Sequence, residues 1–199
     1  MASIFLTNNQ DVSRCVHLRP TVNWNEQFAI LPRGSMTVIR DQFLANLQKL
    51  HTITDHEQEK NIFFFGTILT DSRFDFDLQQ EIDFYNARIE KIKELHGITE
   101  DQIWYKHHPR LSKEVWQIKK EKLNCRLYEF DAPTIAEAEL YNPHVTAVYS
   151  VGSTALLYSA ALFKIPSFLL DLSGSRNVHP SAYKKYKYIA DRFGIPNLN

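Results

Sequence analysis

The segment NIFFFG, Asn61 to Gly66, constrains the fold of this chain more than any other. Ile62, Phe63, Phe64 and Phe65 leave no polar face, so a strand made of them has to be covered on both sides. Gly66 then ends the run and opens a loop. Beyond that loop, LQQEIDFYNARIEKIKEL sets Leu78, Ile82, Tyr85, Ile89, Ile92 and Leu95 at steps of three or four, and Gly97 follows. That spacing predicts an amphipathic helix closed by a glycine. A strand buried on both faces and followed by such a helix is the opening of a βαβ unit.

The alternation continues. Gln102–Lys106, Leu127–Phe130, Val145–Ser150 and Ser167–Leu172 read as strands. Between and after them Val115–Leu123, Ile135–Tyr141, Ala155–Phe163 and Tyr183–Phe193 read as helices or helical turns. The expected fold is therefore α/β: a Rossmann-like, mostly parallel sheet with helices on both faces. Such sheets bind ligands at the C-terminal ends of their strands. Residues 1–60 lack the alternation. Asn8–Arg40 has little periodicity and carries Pro20 and Pro32, Asp41–Leu50 predicts a short helix, and Thr52–Lys60 reads as a linker. The expected organisation is an N-terminal segment at 1–60, either a linker or the remnant of a first domain, and a Rossmann-like domain at 61–199.

Several function classes drop out on composition. With 199 residues, 44% of them apolar, the chain can build one full domain core. Lys+Arg and Asp+Glu both number 23, so there is no basic excess of the kind a general nucleic-acid binder needs. Cys15 and Cys125 match no metal or redox spacing and suit a reduced, cytoplasmic compartment. No apolar run reaches the roughly 18–20 residues of a membrane span. The start, MASIFLTNN, lacks the charged region of a signal peptide.

Three strand-end loops carry the candidate chemistry. Gly152, Ser153 and Thr154 stand where a strand gives way to a helix. Free backbone N–H groups and the positive end of the helix dipole make that place a phosphate site, with two hydroxyls as further donors. A plain reading of Ser153 as a helix cap accounts for it equally. Lys106, His107, His108, Pro109 and Arg110 follow the second strand and combine two cations with two imidazoles. Pro109 holds His108 extended, and strand alternation lets only one of the two histidines face a ligand. The bland alternative is a solvated basic loop. Gly66 and Thr67 follow the first strand, where a glycine either lets the chain pass close to a nucleotide or merely turns it. Asp71, Asp75 and Asp77 in the same loop are candidate bases or solvated carboxylates. The histidine pair has no Cys or carboxylate at ligand spacing, so no metal or other cofactor is called for. Lys184, Lys185 and Lys187 among tyrosines fit either an anionic membrane surface or a solvated helix face.

The order of His108-Pro109, a downstream helix and VYSVGSTALLYSAAL with its Ser153-Thr154 resembles bacterial sialyltransferases. The likeness is to the lipooligosaccharide sialyltransferases (glycosyltransferase family 52) and the bacterial polysialyltransferases, which share an HP motif and a later Ser/Thr motif. It covers about residues 61–199, the C-terminal half of a longer two-domain enzyme. The resemblance implies a GT-B fold whose C-terminal domain binds CMP-sialic acid, or CMP, and an inverting transfer to a cell-surface glycan acceptor. It implies that His108 acts as the acid at the CMP phosphate and that Ser153 and Thr154 donate to the same phosphate. It brings Gly66 and Thr67 close to the nucleotide and sets Glu139, or alternatively Glu137, near it. The family's general base is an acidic residue of the N-terminal domain, in an acidic-acidic-glycine pattern that this chain lacks. An N-terminal domain or a second copy is then an expected partner, at the cytoplasmic face and with peripheral contact to the inner membrane. Two other readings stay open: a teichoic-acid-type polyol-phosphate transferase, for which His179-Pro180 is a second His-Pro pair, and a non-catalytic nucleotide-binding module.

Overall fold

The structure, a computed structural model, describes Ala45 and residues 60–71, 74–128, 139–172 and 180–198. All but Ala45 belong to the compact unit Ile53–Asn199. Ala45 is helical, and the rest of the reading of residues 1–59 lies outside the described residues. So do Glu137, His179 and the proposed strand residues Glu129 and Phe130.

Six strands form one sheet: β1 (Asn61–Phe65), β2 (Ile103–Lys106), β3 (Arg126–Leu127), β4 (Val145–Ser150), β5 (Ser167–Leu170) and β6 (Asn197–Leu198). Their order is β3-β2-β1-β4-β5-β6, and every pairing is parallel. The helices are α1 (Leu78–His96), α2 (Lys113–Lys122), α3 (Thr154–Tyr158), which runs on into a π-helical turn at Ser159–Phe163, and α4 (Pro180–Arg192). This is the order of a doubly wound Rossmann-like sheet, and it reverses between β1 and β4. Right-handed crossovers leaving that point in opposite directions put helices on opposite faces.

The apolar run works as its sequence implies, for all five residues of β1 are buried. Register sets Phe64 beside Tyr105 and Tyr149, and Tyr149 beside Phe168. These four rings form a row across β2, β1, β4 and β5. From α1, Tyr85 meets Phe64 edge-on at 5.2 Å and His96 meets Tyr149 at 5.9 Å. Phe63 and Trp104, each one residue earlier, point to the other face and pack on Tyr128.

Local signals set the helix ends. Asp77 caps α1 by accepting from the Gln80 N–H, and the Gln80 side chain accepts in return from the Asp77 N–H. Gly97 closes α1 in the left-handed region at φ 61°. Ser112 caps α2, so that helix starts earlier than its apolar residues suggest. The last helix starts at Pro180 rather than Tyr183, because proline suits the first helical position. Asn197–Leu198 add an edge strand too short and polar to show in the sequence.

Candidate functional site

Hydrogen bonds lace together the ends of β1, β2 and β4. The Gly66 N–H donates to the Lys106 carbonyl at 2.9 Å. Ser150 Oγ donates to the Phe65 carbonyl at 2.8 Å and accepts from the Gly152 N–H at 3.2 Å. Gly66 and Thr67, Lys106 to Arg110, and Gly152 to Thr154 thus lie along one edge of the sheet, around the point where the strand order reverses.

The loop after β2 is built on a tight turn. The Leu111 N–H donates to the His108 carbonyl at 2.9 Å across Pro109 and Arg110, and proline presets the backbone of that turn. The Arg110 N–H donates to His108 Nδ1 at 3.1 Å. A neutral ring with Nδ1 accepting carries its proton on Nε2, so this bond assigns the tautomer. His107 is used differently. Its ring packs on Trp116 of α2 with centroids 4.4 Å apart, and its Nδ1 donates to the His108 carbonyl at 2.9 Å. Burial, with Lys106 and the lysines of α2 adding to it, holds the His107 imidazole below its usual value although the His108 carbonyl pulls the other way. Lys106 is buried at the end of β2, while Pro109 and Arg110 are exposed.

At the start of α3 the Ser153 hydroxyl accepts from the Ala155 N–H at 3.2 Å, which is helix capping, and Thr154 beside it is exposed. The two glycines answer to tyrosines. A Cβ on Gly152 would lie 2.8 Å from ring carbons of Tyr186, so its missing side chain makes room for α4. A Cβ on Gly66 would lie 2.2 Å from Tyr105 Oη. Glu139 is not brought to this edge. Its carbonyl accepts from the Asn142 N–H, and the Asn142 carbonyl accepts from Val145 at the start of β4. The length of β4, roughly 20 Å at 3.3 Å per residue, separates that end of the sheet from the loops. Asp77 is spent on capping α1.

Sequence reasoning missed a buried polar cluster beneath the β1 loop. Glu81 and Lys119 form an ion pair with side chains 0% and 1% exposed. Glu81 Oε2 also accepts from the N–H groups of Leu69 at 3.1 Å and Thr70 at 3.0 Å. The Tyr85 hydroxyl accepts from the Thr67 N–H at 3.0 Å and donates to the Thr67 carbonyl. Burial, then the nearby Tyr105 and the Glu81 charge, push the Tyr85 phenol well above its ordinary value. Burial pulls Lys119 down more than Glu81 raises it. The available signal was Glu81 one turn before Tyr85 on the apolar face of α1.

On α4, Lys184, Lys187 and Tyr188 are exposed. Among the described residues no helix is long and apolar enough to cross a membrane.

An all-parallel sheet of this order, with three loops joined where the order reverses, defines a Rossmann-like α/β domain. The sequence profile of the alpha-2,8-polysialyltransferase family (POLYST) matches residues 40–172, well over half of the chain, and the chain belongs to that family. It is thus a sialyltransferase-like glycosyltransferase sequence, of a kind whose substrates are a nucleotide-sugar donor and a glycan acceptor. No curated protein matches it. The matched span starts upstream of residue 61, where the motif resemblance began, and it takes in all three loops.

Proposed function

We propose that residues 61–199 are the donor-binding domain of a GT-B-type sialyltransferase, and that they bind CMP-sialic acid for inverting transfer to a cell-surface glycan. The observation that carries this reading is the lacing of the β1, β2 and β4 loops into one edge at the reversal point of the sheet. The phosphate of CMP would lie between the His108 loop and the start of α3. There His108, through Nε2–H, and the Thr154 hydroxyl are its donors, with Arg110 as a nearby cation.

Departure of CMP leaves a cationic, oxocarbenium-like sugar and gathers negative charge on the phosphate. Donors fixed toward that phosphate bind the departing group more strongly than the intact donor, which lowers the barrier. The Arg110 N–H on Nδ1 favours the neutral ring with its proton on Nε2. His108 therefore serves as a hydrogen-bond donor to the phosphate. A further domain or a second copy supplies the general base, and the enzyme works at the cytoplasmic side of the inner membrane.

Calorimetric titration of the full chain with CMP, UDP and CMP-sialic acid tests the reading. The expected result is preference for the cytidine ligands. Loss of a hydrogen bond to a charged group in His108→Ala should weaken CMP roughly ten- to a hundredfold. A well-folded chain that binds none of the three would overturn it.

A further inference from the structure

The loop after β1 has already used most of its backbone donors. The Gly66 N–H goes to the Lys106 carbonyl, the Thr67 N–H to the Tyr85 hydroxyl, the Leu69 and Thr70 N–H groups to Glu81, and the Asp71 N–H to the Ile68 carbonyl. A phosphate-binding loop does the reverse and aims successive N–H groups outward at the anion. The charged group nearest this loop is also of the wrong sign. The Glu81 carboxylate sits directly against the backbone of Leu69 and Thr70, with Lys119 on its far oxygen. The loop presents the partly exposed Ile68 and the exposed Thr70 instead.

The geometry points to a division of labour within the site. The β1 loop is the wall for the uncharged part of the donor, the nucleoside, and Glu81 and Tyr85 are positioning residues that hold that wall in place. The phosphate falls to the loops after β2 and β4. This rests on the donor-site reading above and adds which part of the ligand each loop takes. Four residues from α1, α2 and β2 brace the wall. Glu81 and Tyr85 bind its backbone, Lys119 pairs with Glu81, and Tyr105 fills the space beside Gly66. All four are buried, so the wall is held from behind rather than by the ligand.

The test compares CMP with cytidine on the full chain, with amide hydrogen exchange of residues 66–70 read in parallel. Tyr85→Phe removes the acceptor of the Thr67 N–H. Exchange at Thr67 should rise, and CMP and cytidine should both weaken by the same factor, roughly tenfold. Thr154→Ala should weaken CMP and leave cytidine unchanged. The double variant Glu81→Leu with Lys119→Met removes the acceptor of Leu69 and Thr70 without leaving a lone charge, so exchange at both should rise and CMP and cytidine should weaken together. Apolar replacement of a buried ion pair is tolerated in folding, so this variant keeps the test open where Tyr85→Phe fails to fold, and unchanged affinities despite faster exchange would overturn the positioning role. Unchanged exchange in Tyr85→Phe, or a loss confined to CMP, would overturn the division of labour. Wild-type chain that binds neither ligand would remove the donor-site reading, and this inference with it.

Discussion

Both site glycines are fixed by what lies against them. At Gly66 an added methyl would fall 2.2 Å from Tyr105 Oη, and Tyr105 is 1% exposed with no room to retreat. Gly66→Ala should cost about 1–3 kcal/mol, as overpacking of cores does, and a urea melt will show it as a lowered midpoint. His107 gives a pH signature. Its folded-state value lies below the unfolded value of 6.5, mainly through burial. The unfolded chain therefore takes up a proton first as pH falls through 6.5, and stability drops in the window from there down to the folded value. His107→Gln should show a smaller fall in Tm between pH 7.5 and pH 5.5 than the wild type. An equal fall in both would show that His107 does not contribute.

At the scale of elements, α1 determines most of the site's setting. Its start is held by reciprocal bonds between Asp77 and Gln80, and four and eight residues beyond Asp77 it presents Glu81 and Tyr85 to the β1 loop. Asp77→Ala removes the cap and should cost about 1 kcal/mol. Thermal unfolding measures this, and an unchanged Tm would contradict the cap. Fraying of the first turn should also loosen Glu81, so exchange at Leu69 and Thr70 is expected to quicken. The short α3 behaves otherwise. It passes into a π-helical turn whose buried Ser159 hydroxyl meets Ser167 Oγ at 2.7 Å. The apolar run ALLYSAALF gave no sign of that register change.

At the scale of the molecule, the Glu81–Lys119 pair ties α1 to α2 across the face of the sheet. Removing one partner leaves a buried charge alone. Lys119→Met should therefore destabilise by about 3–5 kcal/mol, whereas Glu81→Gln added to it should recover most of the loss. Urea denaturation of the single and double variants decides this. A single variant as stable as the wild type would mean that the pair does not hold the two helices.

Much of the architecture was legible in the sequence. Four consecutive apolar residues in β1 can only be a strand covered on both sides, and helix periodicity with Gly97 marked α1. The alternation of the two implied a parallel sheet with ligand loops at its C-terminal edge. The candidate residues His108, Pro109, Ser153 and Thr154 could be singled out because they sit in short contiguous stretches. What the sequence could not carry depended on distance in space. The use of Gly66 and Gly152 was hidden, because Tyr105 and Tyr186 reach them from far along the chain. Glu139, close to the motifs in sequence, falls at the other end of β4 because a strand carries its two ends apart. Glu81 and Lys119 looked like ordinary helix charges until packing of α1 against α2 removed both from water. Local pattern decides which elements form, and only tertiary contact decides which polar groups are buried and what they hold.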